Sequence, residues 1–280
     1  MMLEPKLSGS NAVAASSAPS LEIVVINLRR AEERRRIITS QFETLRRPWR
    51  FFEAHTELVN PALRYDSKRI LRSYGRELTP SQLALWSSHY TVITDFATSG
   101  SSDYLLVFED DVLFDTAFPI DALTGVCRDT GIDYMRLFGM YYARAQQLNY
   151  FYDRAIIRYR SSPAGAQAYL LSKKGAARVA ETCRDIETAW DLSLDEFWKT
   201  GLPIHAVYPF PALERFTPTT VPILEFGSLA PHDRLAWLAH RGRNKLRKLI
   251  ANRRLARADK SLRARDPGFR QVDKDMLRHG

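Results

Sequence analysis

Three consecutive acidic residues, Glu109, Asp110 and Asp111, follow an apolar run at 104–108 that is typical of a buried strand. Adjacent carboxylates repel one another and stay ionised easily only when a cation joins them, and Mg²⁺ and Mn²⁺ prefer carboxylate oxygen. Because positions i and i+2 of a strand point the same way, we expect Glu109 and Asp111 to face one side as metal ligands. Asp110 would face the other side. The alternative is a solvated acidic turn.

Length and composition are those of a globular protein. With 280 residues, 45% hydrophobic and 11% aromatic, the chain can bury the core of one large domain. No apolar stretch approaches the roughly 18 to 20 residues that span a bilayer, and the pattern of a secretory signal is missing from residues 1–20. We therefore expect a cytoplasmic protein.

Cys127 and Cys183 have no CxxC or neighbouring His, which predicts buried free thiols.

The formal net charge of +9 is concentrated in one segment. Between His232 and Arg265 the chain has 12 Lys and Arg against 2 Asp, a local charge of +10, which leaves about −1 for all other residues. A nearly neutral body argues against a specific nucleic-acid groove within the fold. A nucleic-acid or membrane-surface binding protein without catalysis is the alternative from a different functional class.

Apolar runs alternate with helical patterns along most of the chain. This alternation predicts an α/β fold with a mostly parallel sheet flanked by helices. We expect a flexible leader at 1–20, one domain at 21–227 and a basic helical tail at 228–280. Thr79 as N-cap, with Pro80 and Gln82 after it, predicts a helix that begins with a capping box.

The remaining elements follow from local pattern. Ser172 has the form of a second N-cap. We expect strands at 21–26, 49–54, 104–108, 133–140, 168–171 and 204–208, helices at 29–45, 80–99, 173–183 and 190–198, and an aromatic loop or lid at 141–152.

Five segments occur in an order that resembles a known family. They are 26–28 with Arg30 and Arg34, 78–80 with 88–89, 107–111, 165–172 with 175–176, and Asp191 with 201–204 and 208–209. Together they resemble glycosyltransferase family 25, the β-galactosyltransferase-like enzymes of lipopolysaccharide and lipooligosaccharide synthesis. The resemblance implies a GT-A fold with a Rossmann-like sheet that binds a nucleotide sugar. It also implies an inverting transfer of a hexose, commonly galactose from UDP-galactose, to a glycan acceptor.

The resemblance implies a divalent cofactor, Mn²⁺ or Mg²⁺. Held by Glu109 and Asp111, the cation would bridge the two phosphates of the donor and neutralise charge on departing UDP. A phosphoryl or nucleotidyl transferase also uses paired acids and a metal, but the sequence has no GxxxxGK[ST] loop. The chain departs from the family at 81–85, where Ser-Gln-Leu-Ala-Leu replaces Gly-Glu-x-Gly-Cys.

Donor-binding residues are expected after the first strand. Ligands of α/β proteins bind at the carboxyl ends of strands, which makes Asn27, Leu28 and Arg30 candidates to hold uracil, ribose or phosphate. Asp110 would face the ribose. For Arg30 and Arg34 a solvated helix face is the competing interpretation.

An inverting transfer needs one base to take the proton of the acceptor hydroxyl. Asp191, which matches the family's acidic position, is the first choice, and Asp195 and Glu196 are the alternatives. All three could instead form the wet face of a helix. His89 is a candidate donor-binding residue, although a lone histidine on an apolar helix is more often a core residue. The aromatic side chains at 141–152 could stack on sugar rings or pack together.

Apolar residues recur near helical spacing within the basic tail. They are Leu235, Leu238, Leu246, Leu249 and Ile250. This pattern predicts a basic amphipathic helix, interrupted at Gly242, that attaches the protein to anionic lipids at the inner face of the cytoplasmic membrane. A lipid-linked acceptor would give that attachment a purpose. A packed or solvated terminal helix is the alternative.

Overall fold

The computed structural model describes residues 19–215 and 229–264, with side chains up to residue 260. The predicted leader therefore lies outside the described residues, apart from Pro19 and Ser20. The strands are β1 (Leu21–Asn27), β2 (Arg50–Glu53), β3 (Tyr104–Glu109), β4 (Val112–Phe114), β5 (Tyr134–Arg136), β6 (Ala145–Phe151), β7 (Arg154–Tyr159), β8 (Ala168–Ser172), β9 (His205–Tyr208) and β10 (Ala212–Glu214). The helices are α1 (Glu32–Phe42), α2 (Ser67–Ser73), α3 (Pro80–Ser99), α4 (Ile120–Thr130), α5 (Lys173–Thr182), α6 (Trp190–Leu194), α7 (Phe197–Thr200) and α8 (Pro231–Ala264).

The centre of the domain is an eight-stranded sheet in the order β2-β1-β3-β8-β5-β9-β7-β6. Parallel pairs join β1 to β2 and to β3, and β5 to β9, whereas β8 and β7 run antiparallel to both of their neighbours. Six strands therefore share one direction and two oppose it. The expected α/β fold with a mostly parallel sheet is confirmed. The short pair β4 and β10 forms a separate antiparallel ladder.

Strand β3 is buried on both faces. Leu105 and Val107 belong to the core on one side of the sheet, and Leu106 and Phe108 to the core on the other. Helices α3 and α5 contribute to the first core, α1 and α4 to the second. A strand covered on both faces has no polar alternation, which is why 104–108 is a continuous apolar run. The acids that follow are therefore anchored to the most buried part of the fold.

The helix caps predicted from sequence are confirmed. In α3 the Thr79 hydroxyl accepts a hydrogen bond from the Gln82 amide at 3.1 Å, and Gln82 Oε1 accepts one from the Thr79 amide at 3.0 Å. Pro80 occupies the first helical turn, and the helix ends at Ser99 as expected. Ser172 likewise caps α5 by accepting a hydrogen bond from the Gly175 amide at 3.0 Å.

The expected aromatic loop at 141–152 is wrong, because most of it forms β6, which pairs with β7 as a hairpin. Only Leu148 and Phe151 of β6 are buried, so the strand lacks the apolar alternation that would have revealed it. The single helix expected at 190–198 is divided into α6 and α7, and α2 was not predicted. Helix α1 begins at Glu32, three residues later than expected.

Helix α8 packs against the domain. It spans 34 residues and runs through Gly242 without the predicted interruption. Its most extensive contacts are with α2, α7 and β6. The strongest anchor is an ion pair: Arg158, 1% exposed, donates to both carboxylate oxygens of Asp259 at 2.7 to 3.0 Å and to Asn252 Oδ1 at 3.0 Å.

No helix within 19–215 and 229–264 has the length and hydropathy of a membrane span.

The ion pair between Arg158 and Asp259 leads to a testable prediction. Asp259→Asn should lower the free energy of unfolding by about 3 to 5 kcal/mol, because it leaves the guanidinium of Arg158 buried without its counter-charge. Urea unfolding of the full chain measures the change. Asp233→Asn is the matched control, because Asp233 pairs with the half-exposed Arg72 and its loss should have a much smaller effect. Equal stability of the two variants would contradict a docked α8.

Candidate active site

A cleft of about 580 Å³ opens where β1 and β3 end. Its walls come from the segments that follow these strands, from the start of α3, and from the segments around 165 and 190. The lining residues are Ile26, Leu28, Arg30, Ala31, Arg34, Ala54, Gln82, Leu85, Glu109, Asp110, Asp111, Met140, Gly165, Ala166, Gln167, Ala189, Trp190, Asp191 and Glu214. A larger groove of about 680 Å³ lies between α2 and α8, but its acids Asp66 and Glu187 are already bound by Arg69.

All three acids of the 109–111 motif line this cleft. Strand β3 ends at Glu109, and Asp110 and Asp111 form the turn before β4, so the strict alternation expected from a strand does not extend to them. Asp110 is held by two donors: Asn27 Nδ2 donates to its Oδ2 at 2.7 Å and Arg34 Nη1 to its Oδ1 at 3.0 Å. The same Arg34 nitrogen lies 3.7 Å from Asp111 Oδ2.

The other two acids are less well compensated than Asp110. Burial and the charge of Asp110 raise the pKa of Glu109 to about 8. Burial and the charge of Glu109 raise the pKa of Asp111 to about 7. Asp111 Oδ1 is buried and has no hydrogen-bond partner. Arg34 therefore compensates the pair only in part, and a bound cation would hold both carboxylates in the ionised form.

The donor set fits a cation that also binds a substrate. Across the described parts of the chain, no group of three or more His, Cys, Asp or Glu side chains is arranged to hold a metal ion. Mg²⁺ is usually held by one or two carboxylates together with substrate phosphates and water, not by an all-protein cage. Glu109 and Asp111, with the unpartnered Oδ1, match the protein share of such a site.

His89 does not reach the cleft surface, contrary to its expected contact with the donor. It is fully buried, its Nδ1 lies 2.9 Å from the Tyr169 hydroxyl, and its ring stacks on Trp190 at 5.4 Å. Burial lowers the pKa of His89 to about 3, so the ring is neutral. Its Nε2 lies 3.4 Å from Glu109 Oε1, which places His89 behind the acid as a support.

The residues after β1 divide into two groups. Leu28 and Arg30 line the cleft, as does Arg34 from α1. Asn27 is 1% exposed and is connected to the site by its hydrogen bond to Asp110. The cleft thus has an arginine-bearing wall beside its acidic floor.

Asp191 lies in the first turn of α6 and lines the cleft. Its Oδ2 accepts a hydrogen bond from the Gly165 amide at 2.8 Å. Gly165 has φ 75°, and a Cβ at this position would lie 2.5 Å from the Phe138 ring. Only glycine therefore lets this amide approach the carboxylate of Asp191.

The alternative bases do not line the cleft. Asp195 has a fully buried side chain, with its two oxygens bound by Arg136 at 2.9 Å each and Oδ2 also accepting from Ser162 at 2.5 Å. Glu196 is largely buried, 3.8 Å from Lys199 Nζ. Asp191 is the one of the three that is in contact with the cleft.

Arg136 connects Asp195 to the cleft wall. Its Nη1 donates to the carbonyls of Phe138 at 3.1 Å and Ala164 at 3.0 Å, and to that of Gly165. These bonds hold Ala164 and Gly165 in their positive-φ conformation. The buried ion pair therefore orients the Gly165 amide that binds Asp191.

Sequence reasoning missed Glu214, which lines the cleft from β10. Glu214 pairs with Val112, the residue after the acids, and its charge contributes to the raised pKa of Glu109 and of Asp111. No local sequence pattern indicated this role, because Glu214 is about 100 residues from the 109–111 motif and lies in a three-residue strand. Gln82, at a departure from the family pattern, also lines the cleft.

Comparison with known proteins identifies the family of this chain. The sequence profile of glycosyltransferase family 25, described as LPS biosynthesis proteins, matches residues 20–197, which include the acidic motif and Asp191. No curated protein sequence matches the chain. Solved structures that resemble it include the "crystal structure of a glycosyltransferase involved in the glycosylation of the major capsid of PBCV-1", with 12% identity and a TM-score of 0.30 over 57% of this chain and 63% of that one. The profile covers more than half of the chain, which therefore belongs to glycosyltransferase family 25.

Proposed function

We propose that this protein transfers a hexose, with galactose as the first choice, from a UDP-sugar to a lipopolysaccharide or lipooligosaccharide glycan, with inversion at the sugar carbon. The observation that carries the proposal is the single cleft that combines the under-compensated acids Glu109 and Asp111 with Arg30, Arg34 and the separate acid Asp191. Such a cleft can bind a diphosphate and place a base apart from it.

The acidic floor would hold the donor diphosphate through a divalent cation. When bound, Mn²⁺ or Mg²⁺ supplies Lewis-acid stabilisation of the UDP leaving group. Glu109 and Asp111 would provide the protein ligands, and Asp110, fixed by Asn27, would lie beside them. Arg30 is exposed at the cleft and would contact phosphate or ribose.

Asp191 would act as the general base. It would accept the proton of the acceptor hydroxyl as the new bond to the sugar carbon forms and the bond to UDP breaks. The hydrogen bond from the Gly165 amide orients its carboxylate.

The alternative of a nucleic-acid binding protein without catalysis is less well supported. The cleft presents five carboxylates, which repel a polyanion unless a cation intervenes. A phosphoryl or nucleotidyl transferase would fit the acids equally well, and only the identity of the transferred group separates the two.

A screen of UDP-sugars by thermal unfolding tests the proposal. UDP-galactose should raise the midpoint with Mn²⁺ present and should lose this effect in EDTA, because the cation links the acids to the diphosphate. Hydrolysis or transfer of the sugar, detected as released UDP, distinguishes sugar transfer from nucleotidyl transfer. Release of galactose 1-phosphate instead would contradict the proposal.

We predict that Asp111→Asn abolishes transfer and weakens Mn²⁺ binding while the fold stays intact, because the amide keeps the shape but loses the charge. Glu109→Gln should reduce transfer less. Turnover with Mn²⁺ and direct Mn²⁺ titration are the measurements. Asp115→Asn is the matched control, since Asp115 pairs with Arg154 and does not line the cleft. Near wild-type, Mn²⁺-dependent turnover in Asp111→Asn would refute the metal assignment.

A second prediction concerns the base. Asp191→Asn should reduce the rate of transfer by about 10² to 10⁴ while the affinity for UDP-sugar changes little, because a general base acts in the chemical step. Single-turnover rates and donor titrations provide the two readouts.

Asp195→Asn is the comparison for this variant. It should lower stability by about 3 to 5 kcal/mol, because it removes the charge that compensates the buried Arg136. Asp191→Asn should unfold close to wild type. If donor affinity falls in parallel with rate in Asp191→Asn, then Asp191 is a donor ligand or a structural residue.

A further inference from the structure

Helix α8 exposes large apolar side chains along one face. Their exposed fractions run from 42% at Ile250 to 70% at Leu235. The residues are Leu235, Leu238, Leu246, Leu249 and Ile250, and we refer to them as the leucine stripe. At about 100° per residue, all of them lie within about 60° of Leu235 around the helix axis. They form one stripe about four turns long.

The opposite face of α8 packs on the protein. Trp237, Ala251 and Leu255 lie about 160° to 200° from Leu235 around the axis. Ala251 and Leu255 pack against the core, and the Trp237 ring lies against Gly75. Helix α8 is therefore apolar on two opposite faces, of which one is used by the fold and the other faces solvent.

Charge is also divided between the two faces. The helix has 11 Lys and Arg but only two acids, Asp233 and Asp259. Both acids pair with arginines of the domain, Arg72 and Arg158 respectively. The outer face is thus left without an acidic residue among the described side chains.

Basic side chains border the stripe on both sides. Arg243 and Lys245 are exposed and lie about 80° to either side of Leu235 around the axis, just beyond the edges of the stripe. Arg253 and Arg257, also exposed, continue its line beyond Leu249. An apolar ridge between cationic flanks is the surface of a helix that lies in a membrane interface.

We propose that the outer face of α8 docks on an anionic bilayer, with the leucine stripe inserted at the headgroup boundary and the flanking Lys and Arg against lipid phosphates. Nucleic acid would satisfy the charges but would leave the leucines exposed to water. A second copy of this chain would cover the leucines but would bring two cationic faces together. The proposal goes beyond the transfer reaction and does not rest on it.

Vesicle co-sedimentation of the full-length protein tests this surface. The protein should bind equimolar phosphatidylglycerol and phosphatidylcholine vesicles, should bind phosphatidylcholine alone much more weakly, and should lose binding as salt is added. Removal of the helix is not a suitable test, because it would also remove Asp259, the counter-charge of Arg158.

Point variants on the exposed side of α8 keep the fold and separate the apolar from the electrostatic contribution to vesicle binding. Replacement of the stripe leucines by Ser (Leu235→Ser, Leu238→Ser, Leu246→Ser and Leu249→Ser together) should weaken binding at least about tenfold at unchanged charge. Replacement of the flanking charges (Lys245→Gln, Arg253→Gln and Arg257→Gln together) should weaken it about fivefold per charge.

Two exposed leucines elsewhere supply the matched control. Leu113 and Leu213 are 54% and 58% exposed on β4 and β10, and Leu113→Ser with Leu213→Ser should leave vesicle binding unchanged. Unchanged binding in the stripe variant would overturn the proposal. So would tight binding of an RNA oligomer without vesicle binding, or self-association that the stripe variant abolishes while vesicles stay unbound.

Discussion

Repulsion among the carboxylates that follow β3 is the constraint on which the site depends. Strand β3 is buried on both faces, so the fold holds Glu109 and the turn after it in place regardless of their charge. Asn27 and Arg34 satisfy Asp110, but Glu109 and Asp111 remain buried with raised pKa values. The fold thus holds two carboxylates close together although their charges repel each other. A cation that binds both of them and an anionic donor would reduce this repulsion.

A second buried network shapes the opposite wall of the cleft. The charges of Arg136 and Asp195 compensate each other. The guanidinium also donates hydrogen bonds to the backbone carbonyls around Gly165. Those bonds turn the Gly165 amide toward Asp191. One ionic network is complete and rigid, whereas the acidic one is incomplete, and this difference separates the structural acid Asp195 from the candidate functional acids.

Local signals were enough to predict the elements that place the acids. The capping box of Thr79 and Gln82 and the apolar run of β3 each depend on residues within a few positions of one another. The long-range features could not be predicted in the same way: the antiparallel direction of β8, the partner of Asp195 and the approach of Glu214 all depend on pairings between distant segments. For α8 the sequence pattern predicted the apolar face that is exposed to solvent. The opposite apolar face, which packs on the domain, was recognised only from the structure.

The central claim is that the acids of the 109–111 motif and a donor diphosphate share one cation. Mn²⁺ binding followed by electron paramagnetic resonance, with and without UDP, tests it most directly, because coupling between two ligands of one site is reciprocal. We expect weak Mn²⁺ binding to the protein alone and tighter binding, by about tenfold or more, when UDP is present. UDP affinity that is the same in Mn²⁺ and in EDTA would contradict it.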